Sequence, residues 1–97
     1  MDFKVVVSKK AQREIENTID YYQEINDKLA YEFYLSLQKT YNKLGLNPYY
    51  QVKHKNYRAT PIEKFSFLLF FTINEKTKII KILSCFHTSR NPKKYPK

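Results

Sequence analysis

One glycine, Gly45, in 97 residues excludes a P-loop or a G-x-G-x-x-G turn, since each needs several glycines. One cysteine, Cys85, excludes an intrachain disulfide and a multi-cysteine zinc site, which favours a reducing compartment. Tryptophan is absent, so the bulk of a small core falls to nine tyrosines and seven phenylalanines. No long apolar run is present: the longest, Phe65 to Ile73, carries Ser66 and Thr72 and is too short to span a bilayer. The segment from Met1 to Lys10 lacks the apolar stretch of a signal peptide. These absences lead us to expect a cytoplasmic protein with no membrane contact, in a single domain spanning residues 1–97.

Acid is the other scarcity, and it is local. Up to Leu46, seven basic residues balance seven acidic ones. From Asn47 onward, eleven basic residues face only Glu63 and Glu75, so the whole formal charge of +9 belongs to the second half. So lopsided a field favours a polyanionic partner, such as nucleic acid or an acidic protein surface.

Periodicity orders the chain as β-α-α-β-β-β, with room for one strand more among the two weaker candidates. Phe3–Val7 reads as a strand, and Ser8 offers an N-cap to a helix with Ala11, Ile15, Ile19 and Tyr22 on one face. Asn26-Asp27 caps a second helix whose stripe is Ala30, Phe33, Leu37, Tyr41 and Leu44. Gly45 falls where a left-handed C-cap belongs, with Leu46 folding back on the last turn and Asn47-Pro48 barring continuation. Beyond it, Tyr49–His54 and Tyr57–Ile62 are basic, tyrosine-rich strand candidates. Phe65–Ile73, apolar on both faces, suits a central strand; Asn74–Thr77 is a hairpin loop, and Ile79–Phe86 a second apolar strand. The expected fold is α+β: an N-terminal strand and an antiparallel helical hairpin packed on one face of a twisted, mainly antiparallel sheet of about four strands. The other face is expected to stay partly open, an aromatic and apolar surface for a partner to cover.

The sequence resembles the RelE/ParE superfamily of type II toxin–antitoxin toxins. The resemblance rests on the strand ending in Ser8, Ala11-x-x-Glu14-Ile15, Tyr21-Tyr22, Phe33-x-x-x-Leu37, Leu44 and Asn47-Pro48. Tyr57-Arg58 ahead of the aromatic strand and the ending His87-Thr88-Ser89-Arg90-Asn91-Pro92 complete it. The double tyrosine and the His-x-x-Arg-x-Pro ending point to the ParE-like, plasmid-stabilisation branch. The resemblance implies a growth-inhibiting toxin, neutralised by a cognate antitoxin in a toxin–antitoxin hetero-oligomer. Its target would be gyrase–DNA, poisoned without cleavage, or ribosome–mRNA, cut by a metal-independent endoribonuclease. A non-toxic basic module that binds nucleic acid or peptide is the alternative outside the family.

Metal-free RNA cleavage needs a proton carrier and cations for the developing charge. His87 is the proton-transfer candidate; in simple alternation it shares a side with Ile79, Lys81, Leu83 and Cys85, and its structural alternative is to cap the strand end. Arg58 and Arg90 are the candidate phosphate-gripping cations, each alternatively paired with an acid of the first half such as Glu14 or Glu24. The resemblance to the ribonuclease branch implies Tyr95 as a further acid–base candidate near the C-terminus, and Lys53, Lys55, Lys93 and Lys94 join the arginines as nucleic-acid-binding candidates. No cofactor is expected, and no histidine, cysteine or carboxylate cluster has metal-ligand spacing.

Overall fold

The computed structural model describes residues 3–49, 52–54 and 56–88. β1 (Lys4–Val7) leads through Ser8 into α1 (Lys9–Ile25) and α2 (Asp27–Leu46); β2 (Val52–His54), β3 (Tyr57–Pro61), β4 (Phe67–Asn74) and β5 (Ile79–His87) follow. The strands form one sheet in the order β1-β5-β4-β3-β2. β2 through β5 are antiparallel neighbours, whereas β1 returns beside β5 in parallel, which the helical crossover makes possible. The doubly apolar β4 is the middle strand, as its composition suggested. Pro61 lies past Ala59, the last β3 residue to pair with β2, where a missing N–H costs the ladder nothing.

Local chemistry sets the helix starts. The Ser8 hydroxyl accepts from the Ala11 N–H at 3.1 Å and donates to the Leu83 carbonyl at 3.3 Å, capping α1 and tying it to β5. Asn26 ends α1 and opens α2, its Oδ1 accepting from the Lys28 N–H at 2.8 Å. The apolar stripes meet β4 and β5 in the main core, where Ala11, Ile15, Phe33, Leu37 and Leu44 lie against Leu69, Phe71, Ile80 and Ile82.

Gly45 is not a C-cap. It lies within α2, has no positive φ, and the helix ends instead at Asn47, while Leu46 stays 69% exposed. Its lack of a side chain serves a close approach: the Phe3 N–H donates to the Gly45 carbonyl at 2.7 Å, and a Cβ at Gly45 would sit 3.2 Å from the Phe3 oxygen. We expect Gly45→Ala to be nearly neutral, because a helix propensity gain of about 1 kcal/mol offsets the crowding. Gly45→Val should cost about 1–3 kcal/mol as added carbons force β1 away, read as a lower urea midpoint.

The register of β5 corrects a second expectation. Phe70 pairs with Ser84 and Phe71 with Ile82, so Leu83 is the extra residue of a β-bulge. One inserted residue reverses the alternation beyond it. Cys85 therefore joins Ile80 and Ile82 in the core under the helices, and Leu83 packs on the opposite face. His87, paired with Phe67, lies on the helix side and not beside Ile79, Lys81 and Leu83.

The far face is also more closed than expected. Tyr57, Phe70 and Phe86 are only 2%, 1% and 3% exposed. Their rings stack edge to face, Tyr57 on Phe70 at 5.3 Å and Phe70 on Phe86 at 6.0 Å, with Ala59, Leu68 and Leu83 alongside. Among the described residues, the large apolar side chains left in water are mostly on the helices: Tyr21, Ile25, Tyr31, Tyr34, Leu35 and Leu46.

Tyr41, half-buried against the core, has its hydroxyl pKa pushed well above the ordinary 10.0 by desolvation and, less, by the neighbouring Cys85. A phenol whose pKa is raised on folding gives stability that is present below pH 10 and lost as the unfolded chain ionises above it. Tyr41→Phe should flatten the fall of the denaturation midpoint at alkaline pH.

Candidate functional site

The two catalytic candidates within the described residues, Arg58 and His87, occupy separate clefts on the helix side of the sheet. Arg58 is in β3 opposite Phe71. Its Nη1 donates to the Tyr49 carbonyl at 2.9 Å, and its guanidinium lies 5.7 Å from the centre of the Tyr49 ring. Tyr49 is presented by the turn after α2, where Asn47 Oδ1 accepts the Tyr49 N–H at 3.1 Å. The Tyr49 hydroxyl donates to Glu75 at 3.1 Å. Its pKa is raised by desolvation first and then by Glu75, with Arg58 pulling the other way. Phe3 meets the Tyr49 ring edge-on at 5.8 Å and carries the Lys78 ammonium over its own ring at 5.2 Å. An open cleft of about 650 Å³ runs from Tyr49 and Arg58 past Asn56 and Thr72 to Lys76.

His87 closes β5 at the other end, its ring edge-on to Phe67 at 4.9 Å. Beside it a cleft of about 380 Å³ opens between α1 and the end of β5, lined also by Glu14, Tyr21 and Tyr22. The Tyr22 hydroxyl pKa is raised, chiefly by burial and then by the Tyr21 and Cys85 charges. Glu14 supports this wall. β1 pairs with β5 only as far as Ile82, and beyond that point the Glu14 carboxylate takes the place of a strand. Its Oε1 accepts the Ser84 hydroxyl at 3.0 Å and the Cys85 N–H at 3.1 Å.

The register measures the separation. Arg58 pairs with Phe71 and His87 with Phe67, four residues apart on β4 and on opposite flanks of it. At strand dimensions this sets their Cα atoms about 16 Å apart, with the Arg58 side chain held to Tyr49 and the His87 ring against Phe67. Lys53 falls in β2 opposite Arg58 by register. Lys55, Arg90, Lys93, Lys94 and Tyr95 lie outside the described residues.

Sequence reasoning missed Tyr49, and Glu75 beyond it, in the setting of Arg58, and it offered Glu14 as a motif residue of the resemblance and an ion-pair partner, not as a carboxylate bonded to β5. The Asn-Pro-Tyr turn was a usable signal for Tyr49. Glu14 gave none, because its partners are some seventy positions away.

A parallel N-terminal strand, a helical hairpin and an antiparallel four-strand ladder make a fold shared with solved chains of two toxin–antitoxin systems. The chain is similar to a chain of the chromosomal ParDE TA system from P. aeruginosa, with a TM-score of 0.74 and 17% identity over 88% of this chain and 95% of that one. It is likewise similar to a chain of the toxin–antitoxin complex RelBE2 from Mycobacterium tuberculosis, with a TM-score of 0.65 and 13% identity over 90% of this chain and 99% of that one. No curated protein matches it significantly. Residues 5–92 match the family model of the ParE toxin of type II toxin-antitoxin system, parDE, and the chain belongs to that family. Among the described residues no helix is long and apolar enough to cross a membrane.

Proposed function

We propose that this chain is the growth-inhibiting toxin of a type II system, held inactive in the cytoplasm by a cognate antitoxin, and that it poisons gyrase in the manner of ParE. The observation that carries this reading is the ParE family match across nearly the whole chain. The geometry supports it as well: His87 and Arg58 stand in different clefts, so these two do not form the compact acid–base and cation set that phosphodiester cleavage requires. The basic second half supplies the attraction to a DNA-bound target, with Arg58 and Lys76 along one cleft and Lys81 exposed on the far face. The antitoxin reading draws on the exposed apolar side chains of α2, Tyr31, Tyr34 and Leu35, which a segment folding on contact would cover.

Brief induction of the chain in a bacterium should arrest growth, cause DNA breaks and an SOS response, and leave messages intact; co-expression of the neighbouring small gene should restore growth. Arg58→Ala should weaken the arrest. Cuts in ribosome-bound messages, abolished by His87→Ala, would instead establish the RelE-like ribonuclease. Normal growth with abundant soluble protein would leave a non-toxic basic binding module.

A further inference from the structure

The Glu14 carboxylate has one oxygen committed and one open. Oε1 holds the Ser84 hydroxyl and the Cys85 N–H. The contact of Oε2 is the Lys10 ammonium, 4.0 Å away on a side chain that is 64% exposed. That distance is beyond a hydrogen bond. The carboxylate borders the cleft beside His87, whose other walls are the rings of Tyr21, Tyr22 and Phe67, with the Asn17 amide at the rim. Tyr21 is 61% exposed, so much of its ring is available to a ligand.

A ring face and an unfilled carboxylate oxygen both attract positive charge, and neither attracts an anion. The loose approach of Lys10 is in keeping with this. Glu14 is the acid that lines the cleft, and α1 as a whole carries Glu14, Glu16, Asp20 and Glu24 against Lys9, Lys10 and Arg13, without the cationic excess of the second half. A compact ammonium would engage the carboxylate and leave most of the aromatic wall uncovered. A guanidinium can stack its plane on a tyrosine while its edge donates to Oε2 and to the Asn17 amide oxygen. We propose that this cleft receives an arginine side chain carried by a segment of a partner protein. The assignment rests on the cleft's own chemistry and is independent of the toxin's target.

The test is an NMR titration of the purified chain with N-acetyl-arginine amide, using its citrulline and lysine counterparts as the neutral and ammonium controls. Binding is expected on the order of millimolar, with shifts confined to residues 14–22 and 85–87. Citrulline should fail to bind, and lysine should bind several-fold more weakly. Glu14→Gln keeps an acceptor for Ser84 and Cys85 and should weaken binding about tenfold. Tyr21→Ala should weaken it a few-fold, and Lys10→Ala should strengthen it by removing a competitor. The last two side chains are exposed, so they carry the test if the glutamine variant does not fold. Equal responses to arginine and citrulline, undiminished binding in both Glu14→Gln and Tyr21→Ala, or shifts elsewhere would overturn the site; equal binding of lysine would overturn the arginine assignment.

Discussion

Phe33→Ala should remove about 3–5 kcal/mol of stability and lower the melting temperature by roughly 15–30 °C. Phe33 is fully buried in α2 and lies at the centre of the aromatic core. Its ring meets Phe65 edge-on at 5.2 Å, Tyr22 at 5.6 Å and Phe67 at 5.6 Å. One side chain thereby joins α1, α2, the turn before β4 and β4 itself. Deleting it removes buried apolar area and leaves a cavity among rings too large to close around it. A domain of this size has only about 5–15 kcal/mol in total, so a loss near 4 threatens folding outright. Phe33→Leu should cost less, about 1–2 kcal/mol, because four of the seven side-chain carbons remain and the cavity is smaller. Thermal unfolding of the two variants measures the difference. Similar losses for both would mean that ring geometry, and not filled space, is what α2 contributes there.

The helical half was legible because its determinants are local. Ser8 and Asn26 cap the elements they precede, and the stripes at helical spacing face the core, with Ala11, Ile15, Ala30, Phe33, Leu37 and Leu44 buried and Ile19, Tyr22 and Tyr41 partly so. β4 was legible as the middle strand because it is apolar on both faces, a pattern that needs neighbours on either side. What failed depends on distant partners. Gly45 beside Asn47-Pro48 has the local chemistry of a C-cap, but the approach of Phe3 across more than forty positions decides its role. The bulge at Leu83 leaves no mark in the composition of Ile79–His87, yet it reverses which face His87 occupies. Arg58 was found as a candidate, while its setting against Tyr49, which bridges it to Glu75, depends on how the turn after α2 reaches the β4–β5 loop.

Glu14 shows the same dependence on distance, and it carries the second large effect. Glu14→Ala should destabilise the chain by about 2–4 kcal/mol, because two hydrogen bonds to a charged acceptor disappear together. Ser84 and Cys85, both almost wholly buried, would lose the Glu14 oxygen that accepts from the hydroxyl of one and the N–H of the other at that edge of β5. Glu14→Gln retains an oxygen in the same place and loses only its charge, so its cost should be about 1 kcal/mol. Denaturant midpoints rank the variants, and amide hydrogen exchange locates the effect. The Cys85 amide should exchange faster in the alanine variant, while Ile80 and Ile82, which β1 still covers, keep their protection. Equal exchange at all three would mean that the carboxylate merely decorates an edge that α1 already seals. Faster exchange at Cys85 alone would establish that a side chain completes the sheet where β1 stops short.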